Sequence, residues 1–147
     1  MTRFFAFLLV IFPVGVMAQS LRERVEAGTH ISQTEWYDLT IGKTVIYQSF
    51  GLESGREYYP PSGNTIFYQT IVGTCMEGTY SYDAPSFCFQ WQGNDLACFD
   101  QKWVENEIYI ISKQNGGIHF VADIIEAPFR CAPALLSALD PLIAIGD

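Results

Sequence analysis

The sequence predicts a mainly β fold with short N-terminal helices. About eight short strands form an antiparallel meander, closed into a small barrel or curled into a strongly bent sheet and cross-linked by disulfides. Three observations predict it. β-branched and aromatic runs recur with turn signals every 8–12 residues. No helical pattern separates these runs, which excludes parallel βαβ units. Several runs are apolar on both alternating faces, unlike a single solvated sheet, and eight strands bury their edges by curling or stacking.

The first 18 residues have the three parts of an export signal. Arg3 gives a positive start, residues 4–16 form a 13-residue apolar core, and Val-Met-Ala ends in a cleavage site after Ala18. The core is shorter than the roughly 20 residues of a membrane-spanning helix, and no cysteine lies near the cleavage site for lipidation. We expect a signal peptide over residues 1–18 and a periplasmic or extracellular protein with no transmembrane segment after cleavage. A buried helix or an uncleaved anchor is the alternative.

The remaining chain suits one domain with three segments. Residues 19–42 are predicted to be a short helical segment, residues 43–131 the antiparallel β domain, and residues 132–147 an apolar tail packed on that domain. Capping-box spacings at Ser20 and Ser32 start the two helices. Each helix is too short to be stable alone, so we expect both to dock over one opening or edge of the sheet.

Turn signals divide the β domain into its strands. Residues 60–64 form a turn cluster, and Asn115-Gly116 is the strongest hairpin signal in the chain. The predicted strands are residues 44–50, 56–59, 65–72, 78–82, 87–91, 96–99, 107–112 and 118–124. The apolar tail that follows has an alternative role as an exposed segment that docks on a partner or a membrane.

All four cysteines follow the predicted signal, and in an oxidising compartment they indicate two disulfides. Cys88 and Cys98 are each five residues from Gly93 in a turn, so they lie opposite each other on one hairpin. By elimination Cys75 pairs with Cys131 and fastens the tail to the sheet. A metal site is not expected, because no Cys-x-x-Cys spacing is present and the two histidines are far apart in sequence.

The chain is acidic, with a formal net charge of −8. Loss of Arg3 with the signal would leave seven basic against 16 acidic side chains, a net charge of −9. This charge argues against nucleic acid and anionic membranes as partners. The candidate partners are a basic protein or a small apolar ligand, although acidity also serves solubility alone.

No catalytic motif is present, and we predict no catalytic residue and no cofactor. His30 is expected in a loop and His119 in a strand, where a lone histidine is more often structural than catalytic. Two acidic pairs, Glu105 with Glu107 and Glu53 with Glu57, are expected to be solvated surface near turns. They would matter for glycoside chemistry only if placed across a cleft.

Aromatic residues make up 15% of the chain, enough to build either a core or a contact surface. Small β cores commonly bury such residues. The alternative is an aromatic-lined pocket or contact surface. The candidate binding-surface aromatics are Tyr58, Tyr59, Tyr80, Trp91 and Trp103.

An ordered set of short motifs resembles small exported proteobacterial proteins of a domain-of-unknown-function family. The set covers residues 32–113 and consists of Gly42-Lys43-Thr44, Glu57-Tyr58-Tyr59 before a turn ending in Gly63, Gly78-Thr79-Tyr80, Phe87-Cys88-Phe89, Cys98 and a closing strand with Tyr109. Tyr80 stands where Trp is expected, and Cys75 and Cys131 are additions to the pattern. The resemblance implies export and a β-rich fold, and it implies no activity and no functional residue.

The leading functional hypothesis is an exported, non-enzymatic binding module of the periplasm or envelope. One alternative is a hydrolase of envelope polymers, which would need His119 or a carboxylate pair in a cleft. Another is a structural envelope component that docks through its apolar tail. A barrel filled by side chains would favour surface binding, whereas an aromatic-lined cavity would favour a small ligand.

Overall fold

Eight antiparallel strands close into a barrel in the structure, a computed structural model that describes residues 20–131. The predicted signal peptide and the predicted apolar tail of residues 132–147 lie outside the described residues. The elements, in chain order, are α1 (Leu21–Glu26), β1 (Thr29–His30), α2 (Gln33–Thr40), β2 (Thr44–Ser49), β3 (Leu52–Tyr58), β4 (Thr65–Thr70), β5 (Cys75–Asp83), β6 (Ser86–Trp91), β7 (Ala97–Val104), β8 (Glu107–Ser112) and β9 (Ile118–Ile125).

Strands β2 to β9 form the predicted meander, in which each strand pairs with the next along the chain. The last strand, β9, pairs back with β2 and closes the barrel. Closure removes the free strand edges that an open sheet of this size would present. The mainly β fold class is therefore confirmed, and a closed barrel is chosen over a curled sheet.

The short strand β1 corrects the expectation that His30 lies in a loop. His30 pairs with Lys102 on the second half of β7, beyond the last residue of β7 that pairs with β6. The backbone N–H of Ile31 continues this pairing by donating to the carbonyl of Gln101 at 2.9 Å. β1 thus satisfies backbone groups that β6 is too short to reach.

The two helices have the predicted N-caps but dock in different places. Ser20 and Ser32 each accept from the backbone N–H three residues later. Helix α1 packs on the outer wall through Val25, and Lys102 Nζ donates to the carbonyl of Glu26 at 2.6 Å. Helix α2 closes one end of the barrel, where the fully buried Trp36 inserts.

Three strands are longer than predicted. The prediction made them too short because polar residues interrupt their apolar patterns. β3 begins at Leu52 instead of Arg56, directly after a two-residue turn, and β5 begins at Cys75 instead of Gly78. β7 continues past Phe99 to Val104, and its polar residues Gln101 and Lys102 are both buried. Pairing with neighbouring strands overrides the local pattern in each case.

Both predicted disulfides are present, joining Cys88 to Cys98 and Cys75 to Cys131. Cys88 lies opposite Cys98 on the β6–β7 hairpin, in the predicted register. After β9 the chain runs back over the outside of the barrel to reach Cys75. Phe129 in this returning segment packs on Tyr58 with ring centroids 6.1 Å apart.

The interior is filled at one end only. Around α2, Trp36 meets Tyr59 and Phe87 with ring centroids 6.0 Å from each. The opposite end carries the β2–β3, β4–β5, β6–β7 and β8–β9 turns. Of the six large apolar side chains that are exposed in residues 20–131, five lie in or beside three of these turns: Phe50, Leu52, Ile71, Val72 and Leu96. We call these five residues the apolar rim.

Candidate functional site

A cavity of about 240 Å³ occupies the half of the barrel that α2 does not fill. Every strand from β2 to β9 contributes at least one side chain to its wall. Its deep part is lined by the buried residues Tyr47, Glu57, Phe89, Gln101 and Ile110. Towards the apolar rim the lining residues are half-buried, and they are Ser54, Tyr68, Met76, Trp91, Phe99 and His119. The cavity therefore runs from a buried floor to a partly solvated mouth.

Strand alternation places these side chains inside the barrel. On β6, Phe87, Phe89 and Trp91 face inward, while Cys88 faces outward with its disulfide partner. Glu57 on β3 and Tyr59, the residue after its end, share the inward face. The same period of two therefore produces an apolar lining with a few polar members.

Glu57 has a buried carboxyl group at the floor of the cavity, with only 4% of the residue exposed. Its Oε2 atom accepts a hydrogen bond from the Tyr47 hydroxyl at 2.7 Å and another from the Tyr59 hydroxyl at 2.5 Å. Burial raises the pKa of Glu57 to about 7, although both hydrogen bonds lower it. The carboxyl group therefore exchanges its proton near neutral pH.

The two tyrosines that hold Glu57 remain protonated donors. Burial, followed by the neighbouring Glu57 charge, raises the pKa of Tyr47 and of Tyr59 well above the ordinary value. Both hydroxyl groups therefore keep their protons over the physiological range. The carboxyl group of Glu57 is fixed in position as a result.

Gln101 has a buried carboxamide with no partner. The residue is 1% exposed, and neither its Nε2 nor its Oε1 atom makes a hydrogen bond within residues 20–131. Buried side-chain polar atoms are paired in the large majority of cases. Gln101 therefore places an unsatisfied donor and an unsatisfied acceptor in the cavity wall, where neighbouring atoms cover both of them.

His119 lines the cavity from β9 as a half-buried side chain. Burial lowers its pKa, so its imidazole is neutral at neutral pH. No hydrogen bond found in residues 20–131 joins His119 to Ser54 or Glu57. Across the same part of the chain, no three His, Cys, Asp or Glu side chains are grouped to hold a metal ion.

Aromatic rings at the mouth lie against glycines on the adjoining strands. Tyr68 and Trp91 have ring centroids 5.8 Å apart, and Trp91 stacks on Phe89 at 6.1 Å. A Cβ atom at Gly78 would lie 2.6 Å from the Trp91 ring, and one at Gly55 would meet the Tyr68 hydroxyl. The two glycines therefore allow the rings to lie flat along the cavity wall.

The structure places the candidate binding-surface aromatics differently from the prediction. Trp91 lines the cavity, and Trp103 is half-buried with its Nε1 donating to Glu35 at 2.7 Å. Tyr58, Tyr59 and Tyr80 are 7%, 1% and 6% exposed, so these three side chains are buried in the structure and present little surface to a partner. Tyr59 and Tyr80 belong to the core around α2, and Phe129 covers Tyr58.

Two polar residues of the cavity floor, Glu57 and Gln101, were not predicted as site residues from the sequence. Glu57 was expected to be solvated beside Glu53, yet only Glu53 is exposed. Glu57 is two residues from Tyr59, a spacing that could have placed both on one strand face. Gln101 has the same relation to Phe99 and Trp103, but its polarity indicated the end of a strand.

Comparisons with protein-family models, curated proteins and solved structures returned no match for this chain. The resemblance to exported proteobacterial proteins stays a prediction. Within residues 20–131, no helix has the length and apolar character that crossing a membrane requires.

Proposed function

We propose that this protein is a non-enzymatic binding module that holds one small, largely aromatic or apolar molecule inside its barrel. The observation that carries the proposal is the aromatic-lined cavity of about 240 Å³ to which all eight barrel strands contribute. Barrels of eight strands have interiors that side chains just fill or that hold one small ligand. Here side chains fill one half, and the other half is available.

The cavity volume supports a ligand of one or two rings. An apolar protein cavity of about 150 Å³ can bind benzene, and pockets for drug-sized molecules begin near 300 Å³. The volume of about 240 Å³ lies between these limits. A bicyclic aromatic molecule therefore suits the site better than a long lipid chain.

The charge of the lining supports a neutral ligand over an anionic one. None of the cavity-lining residues within 20–131 is Lys or Arg, and Glu57 is the one lining residue there with a carboxyl group. An anion buried without a cationic partner would lose its hydration without compensation. The acidic net charge of the chain also disfavours an anionic ligand.

The apolar rim supports entry at the turn end of the barrel. Phe50 is fully exposed and Val72 is 82% exposed, on turns at the same end as the cavity mouth. Clustered exposed apolar side chains mark interaction sites more often than scattered ones do. The rim would give an apolar ligand its first contact.

Titration with indole tests the proposal, with calorimetry as the readout. Ile110→Phe adds a ring to the cavity floor and should abolish binding. Leu96→Phe makes a similar change on the rim, outside the cavity lining, and should retain binding. Saturable one-to-one binding that Ile110→Phe removes is the expected result. No binding of indole, or equal binding by both variants, would contradict the proposal.

The hydrolase alternative has weaker support. Glu57 is the one carboxyl group among the lining residues within 20–131, and two tyrosines already hold it. Glycoside hydrolysis usually needs two carboxyl groups across a cleft. The structural-component alternative depends on a tail outside the described residues.

Export forms part of the proposal. Two disulfides and no free cysteine in residues 20–131 support an oxidising compartment, where such bonds persist. The apolar N-terminal pattern supports a periplasmic or extracellular location. A basic protein partner has less support than a small molecule, because the cavity offers a built site.

A further inference from the structure

The carboxamide of Gln101 identifies the polar part of the ligand. Gln101 lies on β7 opposite Ile110 on β8, and both side chains line the cavity. Its neighbours on the wall are mainly aromatic or aliphatic and offer the amide no partner. An amide in this position is costly to bury unless something else pairs with it.

The two unpaired atoms of Gln101 have opposite hydrogen-bonding roles. Nε2 donates and Oε1 accepts, and the two atoms are bonded to the same carbon. A molecule with an N–H next to a C=O on one edge pairs with both atoms at once. Cyclic amides, cyclic ureas and similar lactams have this edge, since their ring holds the amide in the cis form.

The carboxyl group of Glu57, also at the cavity floor, already accepts two hydrogen bonds. Glu57 Oε2 accepts from both Tyr47 and Tyr59, so neither hydroxyl proton is donated to Gln101, and neither hydroxyl oxygen accepts from its amide. The unpaired amide is therefore a feature of the cavity wall that the surrounding side chains do not remove.

We propose that the ligand is a neutral ring compound with a cis-amide edge, a lactam or cyclic urea, and that the covered amide of Gln101 turns towards the cavity and recognises this edge with a pair of hydrogen bonds. This inference rests on the proposed binding function and adds the chemical class of the ligand. The aromatic walls receive the ring, and Gln101 selects its polar edge.

Two probes of the same shape test the inference by calorimetry at pH 7.5. 2-Quinolone is a bicyclic lactam with adjacent N–H and C=O groups, and 2-methylquinoline replaces the oxygen with a methyl group and has no N–H. We expect 2-quinolone to bind at least about tenfold more tightly, since each satisfied buried group contributes of that order. Equal affinities would overturn the inference.

Gln101→Met tests the role of the residue itself, because Met has a similar length and no amide. The variant should bind 2-quinolone no more tightly than 2-methylquinoline, and its affinity for 2-methylquinoline should not fall. Gln69→Met on the outward face of β4 is the matched control and should keep the preference for 2-quinolone. A preference retained in Gln101→Met would overturn the inference.

The melting temperature of the free protein separates recognition from a structural role. Replacing an unpaired buried amide by an apolar side chain of the same shape is neutral or stabilising. Gln101→Met should therefore melt no lower than the wild type without ligand. A clear fall in melting temperature would show that the amide is satisfied in the free protein, for instance by a buried water, and would refute the inference.

The outcomes distinguish the two proposals. If indole and both quinoline probes fail to bind, the proposed function fails. If indole and both quinoline probes bind with equal affinity, the cavity function stands and the assignment of a cis-amide edge falls. If Gln101→Met does not fold, the comparison of the two probes on the wild type decides.

Discussion

At the scale of single residues, the interior of the barrel contains groups that weaken the fold. Glu57 loses its hydration and regains two hydrogen bonds, which leave its pKa near 7, above the ordinary value of 4.5. Gln101 loses its hydration and regains no hydrogen bond within the described residues 20–131. Such groups at a cavity wall are typical of functional sites, where binding is gained at the expense of stability.

The raised pKa of Glu57 predicts that the protein loses stability as the pH rises. The folded-state pKa of Glu57 is about 7, and its unfolded-state pKa is about 4.5. Its contribution to the free energy of unfolding is therefore largest below pH 4.5 and is lost as the pH rises through about 7. Urea denaturation of Glu57→Gln and of the wild type, at steps from pH 4.5 to 8, should show their stability difference changing by up to about 3 kcal/mol in favour of the variant.

Glu53→Gln is the control for this change, since it removes one charge from an exposed position on the same strand. It should follow the wild-type pH profile. Because His119 is present in all three proteins, its titration cancels in the comparison. Parallel profiles for the wild type and Glu57→Gln would show that Glu57 has an ordinary pKa in the folded state.

At the scale of elements, the β2–β3 hairpin has an unusual turn. Ser49 pairs with Leu52, which leaves Phe50 and Gly51 as a two-residue loop. Both loop residues have positive φ angles, 52° and 76°. Two-residue hairpins of this kind favour Asn-Gly, so a fully exposed Phe in the first position is strained and gains no burial.

Phe50→Asn should therefore stabilise the protein by about 1 kcal/mol, because Asn tolerates positive φ and Phe50 has no buried contacts to lose. The midpoint of urea denaturation measures the effect. Val72→Asn removes an exposed apolar side chain from another rim turn without relieving such strain, and it should change stability little. A loss of stability in Phe50→Asn would mean that Phe50 contributes packing.

At the scale of the whole molecule, the disulfides lie apart from the cavity. Cys88 is bonded to Cys98 on the outer face, and Cys75 reaches Cys131 after the chain has crossed the outside of the barrel. Loops spanning 10 and 56 residues predict stabilisation of about 3 and 4 kcal/mol by chain entropy. The bridges therefore support the barrel without lining the site.

The predicted export makes the redox state of the cysteines depend on residues 1–18. In a bacterial host, the full chain should resist labelling by a maleimide reagent after denaturation. A variant lacking residues 2–18 should stay in the reducing cytosol, label on all four cysteines and denature at lower urea. Labelling of the full chain, or equal protection of both proteins, would contradict the prediction. Labelling after added reductant is the control for both proteins.

The sequence by itself determined the meander, the Cys88–Cys98 hairpin and the N-caps at Ser20 and Ser32. Each depends on neighbours in the chain: turn residues, alternation along a strand, or a capping side chain three residues away. Symmetry about Gly93 was enough to place two cysteines opposite each other. Local geometry sets all of these features.

Only the tertiary structure decided which polar side chains face the interior and how much of that interior stays empty. Glu57 and Glu53 lie on the same strand, and one is buried while the other is exposed because a β-bulge at Ser54 reverses the alternation of β3 between them. Trp36 fills one end of the barrel, and the local sequence does not specify how far its side chain extends into the interior. The cavity is what eight strands and one helix leave between them, a volume set by all of their side chains at once.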